Sequence, residues 1–229
     1  MPSTSKHDAL LDFVLRTQQA KLGAGQMYAA LSQRTLTPDA RLALAAMAED
    51  EVAQAMELGK VVGHATLPHV AAPTPPGCGP PGYGPPGYGP PGYGPPGYGL
   101  NDQSWPSALM AVFALDQAAT GALVALARAP GAALAEAAAR LVEQERQHQA
   151  FALGSFCTIA SADSALGRRL ALEMIEARDW IKQIYPRHGA LQALADAGVL
   201  PADAPKAHDS FLASLGDRVQ DALGVLGEL

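Results

Sequence analysis

The chain has 229 residues, a net charge of −6 and a hydrophobic fraction of 48%, which excludes a disordered chain and is enough for one sizeable core. Its 16 Lys and Arg residues are scattered without a basic stripe, so we expect no nucleic-acid partner. Alanine supplies 46 residues, and because alanine is the best helix former the composition favours an all-α fold.

Turn and cap signals divide the chain into helices. Thr37-Pro38-Asp39, Ser104-Trp105-Pro106 and Ala129-Pro130-Gly131 each mark a helix boundary, because Pro is favoured at helix starts and Pro-Gly breaks a helix. The predicted helices run from about His7 to Arg34, Thr37 to Gly63, Ser104 to Arg128, Ala132 to Ala160, Asp163 to Tyr185, Leu191 to Ala197 and Pro205 to Leu226. Within one domain overall, we expect a first hairpin (1–63), a linker (64–104), a second hairpin (105–160) and C-terminal helices (161–229).

The linker carries a low-complexity repeat. Residues 73–99 hold 11 of the 19 Pro and 10 of the 23 Gly, and four copies of Pro-Pro-Gly-Tyr-Gly end at Gly99. Such a composition cannot form a helix or a central strand. It is interpreted as a linker that joins the two hairpins, with a tyrosine-displaying arm for a partner as the alternative.

The two hairpins resemble each other at an offset of 94 residues. Glu49-Asp50-Glu51-Val52-Ala53-Gln54 matches Glu143-Gln144-Glu145-Arg146-Gln147-His148. Glu51 therefore corresponds to Glu145, and Gln54 corresponds to His148. The same offset superposes the turns of the two hairpins, which indicates two versions of one antiparallel unit.

Ionisable residues interrupt apolar stripes on three helices. Steps of three and four place Glu51, Asp116, Glu145 and His148 on faces that should be buried. Three buried carboxylates repel each other and need neutralisation. No Lys or Arg falls on these three stripes, so a metal cation is the most economical counter-ion, although protonation and hydrogen bonds to Gln18 or Gln54 are alternatives. Carboxylates with imidazole favour iron or manganese.

With two hairpins, a long connection and Glu145-x-x-His148 in the fourth helix, the chain resembles the ferritin-like carboxylate-bridged di-iron proteins. Its C-terminal region is similar to the catalytic and structural subunits of the phenylacetyl-CoA epoxygenase, through Asp179-Trp180, Gly198-Val199-Leu200-Pro201 and the helix from Phe211 to Leu226. The resemblance implies a ferritin-like four-helix bundle with C-terminal helices and a Pro/Gly/Tyr-rich crossover.

The expected metal ligands are Glu51, Asp116, Glu145 and His148, with Gln18 and Gln54 beside them. The family pattern also has a carboxylate in the first helix and a second Glu-x-x-His. Here Leu22 lies opposite Asp116 by the offset of 94, and Gln54 replaces the histidine. The site is therefore expected to hold a single ion, or none if it has lost its function.

The resemblance implies an iron-dependent oxygenase that acts on a small organic or acyl-CoA substrate with a separate reductase. The alternatives are a non-catalytic structural subunit of an oxygenase complex and an iron-storage protein. We expect a homo-oligomer or a hetero-oligomer.

Three features of the sequence favour the cytoplasm. Residues Met1 to His7 are polar, and the chain has no apolar run of about 18 residues. Its two cysteines have no metal or redox spacing. Cys157 is expected to be a core thiol.

Overall fold

The computed structural model describes residues 6–35, 37–63, 104–184 and 188–224. These residues form seven helices and no strand: α1 (Lys6–Ser32), α2 (Pro38–Val61), α3 (Trp105–Leu126), α4 (Ala132–Ala162), α5 (Ser164–Ile184), α6 (His188–Asp196) and α7 (Ala204–Leu223). The predicted all-α bundle is confirmed. The Pro-Pro-Gly-Tyr-Gly repeat, with Tyr83, Tyr88, Tyr93 and Tyr98, lies outside the described residues.

Local sequence explains where the helices begin and end. Ser104 accepts a hydrogen bond at its Oγ from the backbone N–H of Ser107, 3.4 Å away, and so caps α3. Asp163 ends α4, and its Oδ1 accepts the backbone N–H groups of Ala165 and Leu166 at 2.9 and 3.1 Å. One aspartate therefore separates α4 from α5. Gly224, with a φ of 68°, ends α7 in the left-handed conformation that glycine adopts at low cost.

The helices pack as two hairpins, with α5 and α7 against the second hairpin and α6 against α1 and α7. α1 packs against α2, and α3 packs against α4. α3 also contacts α1, α5 and α7, so it lies at the centre of the bundle. At Gly25 of α1, an added Cβ would lie 3.1 Å from the carbonyl oxygen of Ala48. The absence of a side chain there lets α1 and α2 approach closely beside the central polar cluster.

The central position of α3 explains its composition. Among the described residues, α3 alone is long and apolar enough to cross a membrane, and 89% of its most apolar window is buried inside the bundle. Asp116, Gln117 and Thr120 interrupt α3, so it is not an unbroken run of about 18 apolar residues. A helix in contact with four others is mostly apolar, as core helices of bundles are.

Cys157 corrects a second expectation. Its side chain is exposed on α4, while the neighbouring Phe156 is buried and forms an edge-to-face pair with Phe113 of α3, with ring centroids 5.5 Å apart. The apolar stripe on α4 passes through Phe156, and the next residue points about 100° away from it. Cys157 is therefore a surface thiol and not a core thiol.

Candidate functional site

Four side chains predicted as metal ligands meet at the centre of the bundle. Glu51 comes from α2, Asp116 from α3, and Glu145 and His148 from α4, and all four are buried. One ligand atom from each lies within 4.8 Å of all the others. Because an ion holds such ligands at about 2 Å on each side, this group could hold a metal ion. The predicted helical faces are the buried faces, whereas metal binding itself stays a prediction.

A lysine on α1 lies in the middle of these ligands. The Nζ of Lys21 is 2.7 Å from Oδ1 of Asp116, 2.8 Å from Oε1 of Glu145 and 3.2 Å from Oε1 of Glu51, and its side chain has no exposed surface. A metal was the most economical counter-ion because the predicted stripes on α2, α3 and α4 contain no Lys or Arg, and Lys21 on α1 now provides a cation.

The surroundings keep Lys21 charged. Burial favours the neutral amine and by itself lowers its pKa, but the carboxylates of Asp116, Glu145 and Glu51 outweigh burial and raise the pKa of Lys21 well above its usual value. The group at the centre of the site is thus an ammonium ion with three donors. It has a carboxylate oxygen within 3.2 Å in each of three directions.

His148 contributes a second cation. Its Nδ1 lies 3.1 Å from Glu51, 3.3 Å from Glu145 and 3.6 Å from Asp116, and its Nε2 lies 3.5 Å from the half-exposed Asp50. Burial disfavours the charged ring, but the carboxyls of Asp116, Glu145 and Glu51 outweigh burial and raise the pKa of His148 to about 12. Without a metal ion, these carboxyls therefore favour the imidazolium form of the ring. A metal ligand must instead be a neutral imidazole.

The centre shifts the pKa values of two of its carboxyls in opposite directions. Burial favours the neutral form of Asp116, but Lys21 and His148 outweigh it and lower the pKa of Asp116 below its usual value. Asp116 also accepts a hydrogen bond of 3.0 Å from the hydroxyl of Tyr28. Burial and the nearby Asp116 raise the pKa of Glu51 well above its usual value, against the effect of Lys21. The same centre thus favours the ionised form of Asp116 and disfavours the ionised form of Glu51.

Side chains of both charges share the centre of the cluster. Lys21 and His148 lie within 3.6 Å of the carboxyls of Asp116 and Glu145. Buried ions are tolerated when ions of opposite charge lie beside them. The site therefore contains cations of its own next to its carboxyls.

The two predicted neighbours of the ligands take different roles. Gln18 is buried, and its Nε2 donates to the carbonyl oxygen of Ala55 at 2.9 Å, so it ties α1 to α2. Gln54 is also buried, and neither polar atom of its side chain has a hydrogen-bond partner among the described residues. It lies one turn after Glu51, at the position that His148 takes relative to Glu145.

The first helix lacks the carboxylate of the family pattern, and a different residue reaches Asp116. Leu22, placed opposite Asp116 by the offset of 94, is only partly buried. Lys21, one residue earlier, is the one that reaches Asp116. The repeat therefore aligns the two hairpins to within one residue. Where the family pattern has a negatively charged carboxylate, α1 carries the positively charged Lys21.

Three further polar residues complete the network and were not predicted. Tyr28 lies seven residues after Lys21, on the same face of α1. Gln149 donates to Gln117 at 2.7 Å, and the Nε2 of Gln117 lies 3.4 Å from Oδ2 of Asp116. A signal for α1 was present, because Val14, Lys21 and Tyr28 share one heptad position on its buried face. Gln117 directly follows Asp116, and Gln149 directly follows His148. Their spacing in the sequence did not distinguish them from surface residues.

Replacing His148 with glutamine should flatten the pH dependence of stability. A group whose pKa rises on folding stabilises the fold fully below its unfolded pKa, about 6.5 for histidine, and this contribution is lost as the pH rises toward the folded value. We expect the free energy of unfolding to fall by about 1 kcal/mol per pH unit between roughly pH 6.5 and 9. The His148→Gln variant should show a shallower fall in urea unfolding measured at stepped pH.

His208→Gln is the matched control for this measurement. The side chain of His208 lies on α7 and is 15% exposed, and it lies outside the central cluster. We expect this variant to keep the wild-type slope. Equal slopes in wild type and His148→Gln would show that the buried ring is not held in its charged form.

Comparison with known proteins does not assign the chain. A scan against protein-family models, a search of curated proteins and a search of solved structures each returned no match. The structure itself is all-helical over the described residues and holds a buried cluster of Glu, Asp and His, which is compatible with a ferritin-like bundle.

Proposed function

We propose that this chain is a metal-free relative of the ferritin-like bundles and acts as a non-catalytic structural subunit. The observation that carries the proposal is the ammonium group of Lys21, which lies within 3.2 Å of three of the four candidate ligand side chains. A metal ion and this ammonium group would compete for the same oxygen atoms. The cation supplied by α1 is covalently tethered, so it has no dissociation equilibrium with solvent.

The residues that differ from the family pattern support the same proposal. Both differences lie on the first hairpin, where Lys21 stands in place of a carboxylate and Gln54 in place of a histidine. Each change removes a ligand, and Lys21 also adds a positive charge that repels a second cation. The ion pairs at the polar centre hold the helices together, so the bundle keeps its fold without a redox-active metal. We propose that its partners are protein subunits in the cytoplasm.

A metal-dependent oxygenase is the second candidate function, and one observation favours it. The four ligand atoms lie within 4.8 Å of one another, so they would hold iron or manganese if Lys21 and the proton on His148 left the centre. Such an ion would supply the redox chemistry, with electrons from a separate reductase. Lys21 would then have to lose three ion pairs inside a dry core, which is a large cost.

Metal content after expression in iron- and manganese-supplemented medium separates the two candidates. We expect the purified wild-type chain to contain far less than one ion per chain by mass spectrometry, because Lys21 holds the ligands. Stoichiometric metal in the wild type that disappears in Glu145→Ala and His148→Ala would overturn the proposal. Circular dichroism on each variant verifies that the helices are intact.

A further inference from the structure

The outer face of α2 carries an unusual stripe. Glu49, Ala53, Met56 and Lys60 follow steps of four, three and four residues, and all are exposed. This spacing places them on one side of the helix, opposite the buried Met47, Glu51, Gln54 and Leu58. An acidic residue therefore marks one end of the stripe, a basic residue marks the other, and small or apolar side chains lie between them.

The middle of the stripe is apolar although it faces solvent. Met56 is 44% exposed, Val52 beside it is 37% exposed, and Leu42 extends the same side of the helix and is 70% exposed. These are three of the five large hydrophobic side chains that are exposed among the described residues. Clustered exposed apolar residues with charged residues around them indicate an interaction surface.

The second hairpin shows what covers the corresponding region there. α5 and α7 both pack against α4, whereas α2 packs mainly against α1 and α4. Within the part of the chain that the structure describes, α6 contacts α1, but α5 and α7 pack on the second hairpin. Among these residues, the α2 stripe is therefore exposed and available for a partner.

The geometry points to a second copy of this chain as that partner, bound through an antiparallel contact of α2 with α2. An isologous dimer places the same patch on both sides of a two-fold axis. With the axis midway between Glu49 and Lys60, Glu49 faces Lys60 of the other copy, and Ala53 faces Met56. The ion pair between Glu49 and Lys60 therefore forms twice, once at each end, and the apolar middle packs on itself. A parallel contact would instead place Glu49 on Glu49.

The size of the contact sets its strength. From Glu49 to Lys60 the paired part of the stripe is about 17 Å long at the helical rise of about 1.5 Å per residue. One helix pair of this length buries less than the roughly 1,200 Å² of stable interfaces. The dimer should therefore be weak and should form at micromolar or higher concentration. It does not depend on whether the central cluster binds metal.

Charge reversal tests the antiparallel register directly. Glu49→Lys or Lys60→Glu alone places like charges together at both ends of the interface and should weaken the dimer by about tenfold or more. The double variant Glu49→Lys/Lys60→Glu restores both pairs and should recover the wild-type dissociation constant. Sedimentation velocity over a wide concentration range measures each variant. Glu136→Lys, an exposed residue on α4, is the control with the same change in charge.

An apolar substitution tests the centre of the stripe. Met56→Glu should abolish the dimer, whereas Leu172→Glu on α5, where Leu172 is 54% exposed, should leave it unchanged. A wild-type chain that stays monomeric at every concentration would overturn the inference. A dimer that the double charge reversal fails to restore would also overturn it, because the pairing of Glu49 with Lys60 is what fixes the register. Metal content, which tests the proposed function, is measured separately on the same samples.

Discussion

Replacing Lys21 with methionine should lower the free energy of unfolding by roughly 3–5 kcal/mol at neutral pH. Methionine preserves the volume of the side chain but removes the ammonium group that pairs with Asp116, Glu145 and Glu51. These carboxyls then lie in a dry core with His148 as their remaining cation. Breaking a buried ion pair on one side leaves an uncompensated charge, which is one of the largest single-residue effects on stability.

Thermal and urea unfolding measure this effect, with an expected fall in Tm of about 10 °C. The loss should shrink as the pH falls toward about 4, because protonated carboxyls no longer repel each other. Lys206→Met, at an exposed position on α7, is the matched control and should change stability little. A Lys21→Met variant as stable as this control would show that the ammonium group does not neutralise the carboxylates.

Replacing Lys21 with glutamate should turn the cluster into a metal site. The substitution exchanges the cation for a carboxylate at the position opposite Asp116, so four carboxyls and His148 then face one another. His148 is then the one internal cation of the cluster and cannot balance four carboxyls, so the most favourable way to neutralise them is to bind divalent cations. We expect at least one Mn²⁺ or Fe²⁺ ion per chain where the wild type holds far less.

Metal-dependent stability provides the second readout for this variant. Saturating Mn²⁺ at about 100 times its dissociation constant should stabilise the Lys21→Glu variant by about 2.7 kcal/mol, seen as a higher Tm. The Lys21→Gln variant has nearly the same shape without the charge and should show a much smaller shift. His148→Ala in the Lys21→Glu background should reduce the shift. A folded Lys21→Glu chain that does not respond to Mn²⁺ would show that the ligands do not converge on an ion.

The sequence predicted the helices and the buried faces of α2, α3 and α4 because their signals are local. Pro and Gly mark helix ends, and steps of three and four identify a buried face when its other members are apolar. Glu51, Asp116, Glu145 and His148 were therefore recognisable as residues that break an apolar pattern. Their convergence is confirmed by ligand atoms within 4.8 Å of one another.

Lys21 could not be found in the same way. Lysine is almost never fully buried unless it is paired, so a single lysine in an otherwise mixed helix is ordinarily assigned to the surface. Its burial depends on three partners that lie 30, 95 and 124 positions away in the sequence. Only the packing of α1 against α2 and α3 brings them together. The repeat pointed to Leu22, one residue away. Sequence similarity between the hairpins identifies which turn of α1 lies opposite Asp116, but it does not identify which side chain of that turn faces inward.

A single lysine at the centre of two similar hairpins cannot come from two identical chains. A symmetric pair of identical hairpins would carry every residue of the centre twice, so Lys21 would be accompanied by a second lysine. Covalent linkage of the hairpins gives each position its own codon. Only then can one ammonium group pair with carboxyls from both halves of the bundle.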